Sequence, residues 1–457
     1  MQIIVAGLGK VGSYLAGELS MEGHDVTVVD IKADHVSNVT SQYDVMGING
    51  NIIDPETFSE LDLANTDLFI AVAAKDEINL LACLLAKKEG ASRTIARVRS
   101  PEYRNSMDYL QEQLGLEMII NPEQLAAMEM ERVLAYPGVI DVDTFSQKSS
   151  EIVKFRLPEK SILAGLPVKD IHKKVLNGVL VCVVEREGKA HIPDGNFVLE
   201  PRDLVSVAGA RENVIEFLKR SGLKSKPISS VMMVGAGKIA YYLLERTKDT
   251  DLSMTVIDRD LEACEWVARQ YPKAIVINGE ASDPHLLMEE GLEDMDAFIS
   301  LTGIDEENVF LSLYAARRMN IKTITKINRI YFDEIFYDLE LDTIINPKRL
   351  TAEYIIRRAR SLANSLGSNV ETVHKLANDQ VEAVEFQVRK GSEVIGIPLM
   401  NLPIKSGVLI ALIVRKGKMI LPRGNDELLE GDNVVIITNR MGFVDVADIL
   451  KKGGKNS

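Results

Sequence analysis

The sequence predicts an α/β protein in which two parallel-sheet domains alternate with two small α+β domains. Three observations lead to this prediction. A glycine-rich stretch of strand, turn and helix begins at Ile3 and returns so that Gly7 corresponds to Gly235. Each copy carries an aspartate at the end of its second strand, and a β-rich stretch follows each copy. Together these features predict two Rossmann-like domains, each followed by a small C-terminal domain, in the order A-B-A-B. The expected domains are residues 1–136, 137–226, 227–365 and 366–457.

Short apolar runs alternate with helical stretches in the first copy. The predicted strands are Ile3–Ala6, Val26–Val29, Val45–Ile48, Leu68–Val72 and Thr94–Val98. The predicted helices lie near Val11–Met21, Pro55–Leu61 and Ile78–Lys88. Strands that alternate with helices form a parallel sheet covered on both faces, and a run such as DLFIAVA is apolar throughout, as buried parallel strands are. The likeness between the copies continues as far as Asn121 and Asn346, so the repeated unit is a whole domain.

The stretches that follow the two copies, residues 139–225 and 371–453, resemble each other. AGLPVKDI matches IGIPLMNL, and NGVLVCVVEREGK matches SGVLIALIVRKGK. Short alternating strands between Gly, Pro and Asp turns predict a small β-rich domain, and beyond the turns the two stretches share few polar residues. A helix is expected to join each parallel-sheet domain to its small domain. In the second half this helix carries one apolar stripe, formed by Ala352, Ile355, Ala359, Leu362 and Leu366.

The first glycine loop has the full GxGxxG pattern. Gly7 permits the tight turn out of the strand, Gly9 lets a pyrophosphate approach the backbone, and Gly12 lets the helix pack close to the strand. The N-terminus of the helix offers free N–H groups and a partial positive charge to phosphates. Asp30 is placed to accept hydrogen bonds from ribose hydroxyls, and its charge disfavours the 2′-phosphate of NADP. The pattern predicts a nucleotide site, with glycines that only make a tight turn as the alternative.

The second loop repeats this arrangement with one change. It contains Gly235 and Gly237, with Asp258 as the acid, but Ala240 stands in the third glycine position. Alanine there is an accepted variant of the dinucleotide-binding pattern. The second loop therefore also predicts a nucleotide site.

A lysine holds the same place in both loops, as Lys10 and Lys238. A cation at a helix N-terminus can reach a terminal phosphate as well as a pyrophosphate, so ATP and ADP stand beside NAD as ligands. The alternative for each lysine is a solvated surface side chain.

Further paired positions lie at the carboxyl edge of the two predicted sheets. The pairs Ala73-Ala74 and Thr302-Gly303 follow the fourth strand of each copy, and Arg97 and Lys326 close the fifth. Ligands of parallel α/β sheets bind at this edge, so these residues are candidates for ligand contact. Loop and solvent positions are the alternative.

The composition excludes several classes of protein. The 457 residues carry a net charge of -14, which argues against a nucleic-acid partner because neutralising phosphates needs a Lys- and Arg-rich surface. The three cysteines form no CxxC pair, so neither a zinc site nor a disulfide framework is predicted. No apolar run approaches the roughly 20 residues of a membrane helix, and the chain opens on a strand without a signal peptide. We expect a cytoplasmic protein that reaches a membrane only through a partner.

A catalytic constellation is not evident. The six histidines neither recur between the copies nor form a ligand-spaced pair, so we predict no metal site and no enzyme activity. A dehydrogenase needs an acid/base residue within reach of the nicotinamide, and the small domains offer no obvious one. An NAD-dependent oxidoreductase with an unusual substrate domain, a scaffold with degenerate loops, and small domains that sense another ligand remain alternatives. The intact Asp30 and Asp258 argue against the scaffold.

The motifs GLGKVGSYLAGELSMEGHDVTVVD, AVAAKDEIN and RTIARVRSPEY, in the doubled A-B order, resemble the TrkA family over essentially the whole chain. This family comprises the cytosolic nucleotide-binding subunits of Trk-type potassium uptake systems, built from tandem regulator-of-conductance (RCK) domains. The resemblance implies NAD(H), ATP and ADP as ligands. It also implies a homo-oligomeric ring, a dimer or a tetramer, beneath a membrane potassium-translocating subunit at the inner face of the cell membrane. Nucleotide binding would then change the shape of the ring and gate transport.

Motif matching to this family assigns residues to each site. The first site would use Gly7, Leu8, Gly9, Lys10, Val11, Gly12, Asp30, Ala73, Ala74 and Arg97. The second site would use Gly235, Ala236, Gly237, Lys238, Ile239, Asp258, Thr302, Gly303 and Lys326. Ala73 and Ala74 lack the polar side chains often found there, so that part of the first site must act through backbone groups. A ligand moves a two-state equilibrium only by its differential affinity, and two sites allow two ligands to push in opposite directions.

Overall fold

The structure is a computed structural model. It describes residues 1–136, 138–145, 150–174, 178–223, 227–319, 321–329, 339, 341–365, 369–377, 379–440 and 442–451. The chain divides into two compact units. The unit that we call the Rossmann unit contains Met1–Glu131 and Ser229–Ala359, and the unit that we call the small-domain unit contains Arg132–Ile228 and Arg360–Ser457.

The first repeat of the Rossmann unit is a six-stranded parallel sheet in the order β3-β2-β1-β4-β5-β6. Its strands are β1 (Gln2–Ala6), β2 (Asp25–Asp30), β3 (Met46–Asn49), β4 (Leu68–Ala71), β5 (Arg93–Arg97) and β6 (Met118–Ile120). Its helices are α1 (Lys10–Met21), α2 (Ala33–Gln42), α3 (Pro55–Ser59), α4 (Asp76–Lys88), α5 (Met107–Leu114) and α6 (Pro122–Leu134). The strand order reverses between β1 and β4, which opens a crevice at the carboxyl ends of these strands. All four residues of β4 are buried, as the apolar run predicts.

The sequence analysis missed helices α2 and α5 and strand β6. Helix α5 has no buried residue, so no apolar stripe marks it. Helix α2 buries only Val36 and Val39, so its apolar stripe is too thin to produce a helical period. Strand β6 has three residues and is recognised mainly by its pairing with β5, in which Arg97 lies opposite Ile120. All three elements depend on tertiary packing more than on local pattern.

The first small domain is a five-stranded antiparallel sheet in the order β10-β9-β11-β8-β7. Its strands are β7 (Val139–Thr144), β8 (Ser150–Arg156), β9 (Val179–Arg186), β10 (Lys189–His191) and β11 (Leu204–Ala210). Its helices are α7 (Val168–Lys174) and α8 (Arg211–Arg220).

The second repeat of the Rossmann unit reproduces the first, with the strand order β14-β13-β12-β15-β16-β17. Its strands are β12 (Ser230–Val234), β13 (Ser253–Asp258), β14 (Ile275–Asn278), β15 (Ala297–Ser300), β16 (Lys322–Lys326) and β17 (Thr343–Ile345). Its helices are α9 (Lys238–Thr247), α10 (Leu261–Gln270), α11 (Pro284–Glu289), α12 (Asp305–Met319) and α13 (Pro347–Ser365). The predicted stripe of α13 is buried at Ala352, Ile355, Ala359 and Leu362, whereas Leu366 lies outside the described residues.

The second small domain has the strand order β18-β19-β22-β20-β21, which matches the first small domain read from β7. Its strands are β18 (Val370–Leu376), β19 (Val381–Gln387), β20 (Val408–Arg415), β21 (Lys418–Ile420) and β22 (Asn433–Thr438). The two small domains bury side chains in one common cluster, which includes Phe145, Ile152 and Cys182 from the first with Leu376, Val381 and Leu412 from the second. The predicted A-B-A-B chain order is confirmed. The two Rossmann-like domains belong to one compact unit and the two small domains to the other.

Each small domain contains a buried aspartate held by an arginine. Arg186 donates from Nε and Nη2 to the two carboxylate oxygens of Asp203, at 2.8 Å each. Arg415 holds Asp432 with the same two bonds at 2.8 Å, and the side chains of both aspartates are 1% exposed. The sequence analysis predicted that the small domains share few polar residues. It therefore missed this arginine–aspartate pair, whose two members are 17 positions apart in both copies.

Replacing Asp203 with Ala should lower the free energy of unfolding by about 3 kcal/mol, because the partly buried Arg186 guanidinium loses both hydrogen bonds to its buried partner. The change also removes the acceptor of the Glu200 backbone N–H, which donates to Asp203 at 2.8 Å. Glu200→Ala is the matched control, since that carboxylate is 57% exposed and pairs with the same Arg186. Urea unfolding should show a loss of less than about 1 kcal/mol for the control. Equal losses for the two variants would contradict a structural role for the buried pair.

Candidate functional site

The first glycine loop is anchored by the aspartate at the end of β2. Gly7 has φ +96°, in the left-handed region, and its N–H donates to the Val29 carbonyl at 2.8 Å. The next backbone N–H, that of Leu8, donates to Oδ2 of Asp30 at 2.6 Å. Helix α1 begins at Lys10, and none of the side chains that the structure describes caps its N-terminus. Its first N–H groups therefore stay available to an anion beside the Asp30 carboxylate.

The three glycines of this loop have different steric surroundings. A Cβ on Gly12 would lie 1.8 Å from the Gly7 carbonyl oxygen, and a Cβ on Gly7 would lie 2.6 Å from the backbone nitrogen of Ala73. A Cβ on Gly9 would meet no atom within 4 Å. Gly7 and Gly12 are therefore required by packing, whereas the space over Gly9 is open to a ligand.

The second loop has the same geometry. Gly235 has φ +107°, and the Ala236 N–H donates to Oδ2 of Asp258 at 2.6 Å. A Cβ on Gly237 would meet nothing within 4 Å. The loop borders a cleft of about 320 Å³. Of the predicted second-site residues, the cleft brings together Gly235, Ala236, Gly237, Asp258, Thr302 and Gly303.

The carboxyl-edge pairs are positioned by asparagines that the sequence analysis did not assign to the site. Asn79 donates from Nδ2 to the carbonyls of Ala73 and Arg97, at 2.9 and 2.8 Å. In the second repeat Asn308 donates to the carbonyls of Thr302 and Lys326, at 3.2 and 3.0 Å. The sequence signal that could have identified these asparagines is their recurrence at the end of AVAAKDEIN and SLTGIDEEN. Ala74 and Gly303 are exposed beside these anchors.

Arg97 and Lys326 do not lie in separate clefts. They line one cavity of about 240 Å³ between the two repeats, which we call the shared cavity. Its other lining residues are Val11, Arg99, Pro122, Glu123, Gly237, Lys238, Ile239, Ala240, Leu301, Asn328, Pro347 and Lys348. Beside it, Asn121 donates from Nδ2 to the Tyr242 hydroxyl at 3.0 Å, which links the repeats. The shared cavity and the second cleft have Gly237 in common.

The shared cavity is strongly basic. Five cationic side chains line it, namely Arg97, Arg99, Lys238, Lys326 and Lys348. The first turns of helices α1, α6, α9 and α13 also border it, and each adds the partial positive charge of a helix N-terminus. Such a cavity favours an anion with several oxygen acceptors, such as a phosphate.

Burial works against the charges in this cavity. It lowers the pKa of Arg97, with nearby Arg99 adding to the effect, and it also lowers the pKa of Lys326 and of Lys348. Arg97 donates from Nη2 to the Ala73 carbonyl at 2.8 Å, and Lys326 donates to the Leu301 carbonyl at 3.2 Å. Keeping these buried side chains charged costs free energy, and the binding of an anionic ligand would offset that cost.

Among the described residues that line the cavity, Glu123 is the one carboxylate. Its Oε1 accepts from Nε of Arg99 at 2.8 Å, and this hydrogen bonding raises the pKa of Arg99. Neither its Oε2 nor Nε of Arg97, both buried, has a hydrogen-bond partner among the described residues. At the matching place in the second repeat stands Lys348, since each follows an Asn-Pro pair. Arg99, Glu123 and Lys348 were missed by the sequence analysis because their roles depend on how the two repeats meet.

The described residues contain no group of three or more His, Cys, Asp or Glu side chains placed to hold a metal ion. In the same part of the chain, no helix combines the length and the apolar character needed to cross a bilayer.

Comparisons with known proteins identify both kinds of domain. The TrkA-N domain family matches residues 3–122 and 231–347, and the TrkA-C domain family matches residues 152–222 and 383–451. The Trk system potassium uptake protein TrkA homolog 1 of Methanosarcina mazei is 30% identical over 459 residues, covering 99% of this chain and 100% of that protein. The Trk system potassium uptake protein TrkA of Haemophilus influenzae is 29% identical over 443 residues, covering 95% of each chain.

Solved structures share the fold at lower sequence identity. The GsuK RCK domain is 17% identical with a TM-score of 0.59, covering 95% of this chain and 92% of that one. The GsuK channel bound to NAD is also 17% identical with a TM-score of 0.59, covering 96% of this chain and 76% of that one. These likenesses establish a tandem RCK-type fold.

Proposed function

This chain belongs to the TrkA family, and from that membership we infer that it is a nucleotide-binding regulatory subunit that gates a Trk-type membrane potassium transporter. The observation that carries the inference is the pair of matching glycine loops beside one basic cavity. The open space over Gly9 and beside Asp30 is called the first cleft, and the cleft that the second loop borders is called the second cleft. A regulator of this kind converts nucleotide binding into a change of shape that its membrane partner senses.

Each cleft is proposed to hold one nucleotide. Its phosphates would lie over the open backbone at Gly9 or Gly237, where N–H groups at the start of α1 or α9 can donate to them. The adenosine ribose would hydrogen-bond to Asp30 or Asp258, whose carboxylates are already fixed by the loop backbone. NAD(H), ATP and ADP all carry the adenosine and diphosphate that this arrangement recognises.

The shared cavity supplies a way to distinguish these ligands. A nucleotide in the second cleft lies against Gly237, which also borders the cavity, so a terminal phosphate can extend towards Lys326 and Arg97. ATP would place a γ-phosphate among these cations, whereas ADP would leave them unneutralised. Because the cavity is lined by both repeats, its occupancy changes the balance between two arrangements of the Rossmann unit.

Family membership supports a proposal for the partner and the assembly. Relatives that align over nearly the whole chain are named potassium uptake proteins. We propose that this chain forms a homo-oligomeric ring, a dimer or a tetramer, on the cytoplasmic side of a membrane potassium-translocating subunit of Trk type. The boundaries near residues 136, 226 and 365 are retained as the proposed division into RCK subdomains.

Calorimetric titration with NADH, ATP and ADP tests nucleotide binding. The wild-type chain should bind at two sites, and Asp30→Ala or Asp258→Ala should each remove one of them. Asp54→Ala is the control, because this carboxylate caps helix α3 by accepting from the Glu56 N–H at 3.1 Å and takes no part in the clefts. Titrations that detect no nucleotide at all would refute the proposal.

The regulatory step is tested by potassium flux through a reconstituted Trk-type transporter with this chain added. Flux should depend on the nucleotide, and the dependence should be lost in the Asp30→Ala, Asp258→Ala double variant. Nucleotide binding without any effect on flux would leave a binding protein and exclude the gating role.

A further inference from the structure

Helices α6 and α13, which border the shared cavity from opposite repeats, begin in the same way. Asn121 caps α6 through its side-chain oxygen, which accepts from the Gln124 N–H at 2.9 Å. Asn346 caps α13 through the same atom, which accepts from the Lys348 N–H at 3.1 Å. A proline opens each helix, and the residue after it lines the cavity. That residue is Glu123 in the first repeat and Lys348 in the second, so equivalent positions carry opposite charges.

The residue that lies beside each of these side chains also differs. Arg99 and Asn328 are equivalent, because the backbone N–H of each donates at 2.9 Å to the aspartate that begins the preceding helix. In the first repeat, Nε of Arg99 donates to Oε1 of Glu123 at 2.8 Å, so the two charges neutralise each other. In the second repeat, Nζ of Lys348 donates to the Asn328 carbonyl at 3.4 Å. The first repeat thus contributes a neutral pair at this place, and the second an ammonium group bonded to a neutral acceptor.

The surroundings of the Lys348 ammonium group are mainly positive. Burial lowers the pKa of this lysine, and the charges of Lys10, Arg99 and Lys326 lower it further. Asp305 acts in the opposite sense, although its carboxylate oxygens already accept hydrogen bonds from the backbone N–H groups that follow β16. A cation in such surroundings is stabilised most by a ligand that brings several negative charges close to it.

The donor set of the shared cavity suits phosphate oxygens and does not suit a magnesium ion. A magnesium ion that accompanies a nucleotide is bound by one or two carboxylates in addition to the phosphates. Among the described residues of the lining, Glu123 is the one carboxylate, and it is already bonded to Arg99. Lys348 occupies the place where a second carboxylate would stand if the repeats were identical. An ammonium group is a compact positive charge that can lie against phosphate oxygens, but it has no lone pair with which to ligate a metal ion.

We propose that the shared cavity receives the terminal phosphate of ATP as the metal-free anion, and that Lys348 supplies the positive charge that magnesium supplies in a magnesium–nucleotide complex. This inference rests on the proposed binding of ATP in the second cleft. A triphosphate without magnesium has two more negative charges than its magnesium complex. Five cations line the described part of the cavity, so they attract the metal-free form more strongly. Two unit charges within several ångströms of these cations change affinity by about tenfold.

Calorimetric titration of the full chain with ATP tests this inference when it is done both in buffer with EDTA and in buffer with excess Mg²⁺. ATP should bind about tenfold more tightly without Mg²⁺. An affinity that is equal or higher with Mg²⁺ overturns the metal-free inference while leaving nucleotide binding intact. If ATP binds in neither buffer, the proposed binding of ATP fails together with the inference.

Reversing the charge at this one position tests the role of Lys348 itself. Lys348→Glu gives the two repeats matching carboxylates, so Mg²⁺ should now raise the affinity for ATP about tenfold instead of lowering it. A glutamate in the first turn of α13 is compatible with the helix dipole, and thermal unfolding checks that the variant is folded. Lys348→Met is the matched control, because it removes the cation without adding an oxygen ligand, and Mg²⁺ should not raise its affinity for ATP. If Mg²⁺ weakens ATP binding to Lys348→Glu as much as to the wild-type chain, Lys348 does not take the place of the metal ion.

Discussion

Gly12→Ala should lower the free energy of unfolding by about 3 kcal/mol, because the added Cβ would lie 1.8 Å from the Gly7 carbonyl oxygen. The obstacle is backbone and cannot rotate away, so the loop must move off the start of helix α1. Ala240 occupies the matching position in the second loop and is fully buried there. Its replacement by Gly should cost only about 1 kcal/mol, from lost packing and added flexibility of the unfolded chain. Chemical denaturation of the two variants measures both values.

Gly9→Ala separates packing from ligand binding in the same loop. Its Cβ meets nothing within 4 Å, so the free energy of unfolding should change by no more than about 0.5 kcal/mol. The methyl group would nevertheless stand where the phosphates approach, and nucleotide affinity in the first cleft should fall below detection in calorimetry. A Gly9→Ala variant that binds nucleotide normally would show that phosphates do not lie over this loop.

Lys326→Met should weaken ATP binding about a hundredfold and at the same time stabilise the ligand-free protein. The first effect comes from losing a cation in the shared cavity, where a charged hydrogen bond contributes about 3 kcal/mol to binding. The second comes from burial, which already lowers the pKa of Lys326 and so opposes its charge when no anion is present. ADP, which lacks the terminal phosphate, should lose much less affinity than ATP.

Lys326→Arg is the control for this prediction, since it retains the positive charge and should keep most of the preference for ATP over ADP. Calorimetric affinities and thermal unfolding of the ligand-free variants give the two readouts. Equal losses of ATP and ADP affinity in Lys326→Met would mean that the shared cavity does not contact the terminal phosphate. A loss of stability in that variant would show that the bond from Lys326 to the Leu301 carbonyl outweighs its desolvation.

The elements that the sequence predicts well are those defined by local pattern. The glycine loops, the aspartates that close β2 and β13, and the buried strands all depend on residues within about 30 positions of each other, and repetition reinforces each signal. Helix α2 escaped because only Val36 and Val39 of its ten residues are buried. The ion pairs of Asp203 and Asp432 were not predicted because a charged residue in a turn is normally solvated. Its arginine partner becomes evident only when the pairing of the strands is known.

The shared cavity could not be predicted for a different reason. Its cations come from both repeats, and Arg97 and Lys348 are brought together only by the way the repeats meet. The sequence analysis assigned Arg97 to the first site and Lys326 to the second because a repeat in the sequence suggests two copies of each binding site. In the structure, both residues instead line the one shared cavity, where the carboxyl edges of the two parallel sheets meet.

The common core of the two small domains makes the chain equivalent to a dimer whose halves are covalently joined. Each half presents a sheet face that the other half covers, through residues such as Cys182 on one side and Leu412 on the other. A linker between halves replaces bimolecular association by an effective concentration on the order of millimolar, so dilution does not separate them. The covalent link also allows the two halves to differ in sequence. A homodimer must repeat every substitution on both sides of its axis, whereas this chain has Glu123 in one repeat where the other has Lys348, and Lys32 where the other has Asp260. Tethering therefore allows the molecule to respond unequally to its two occupants.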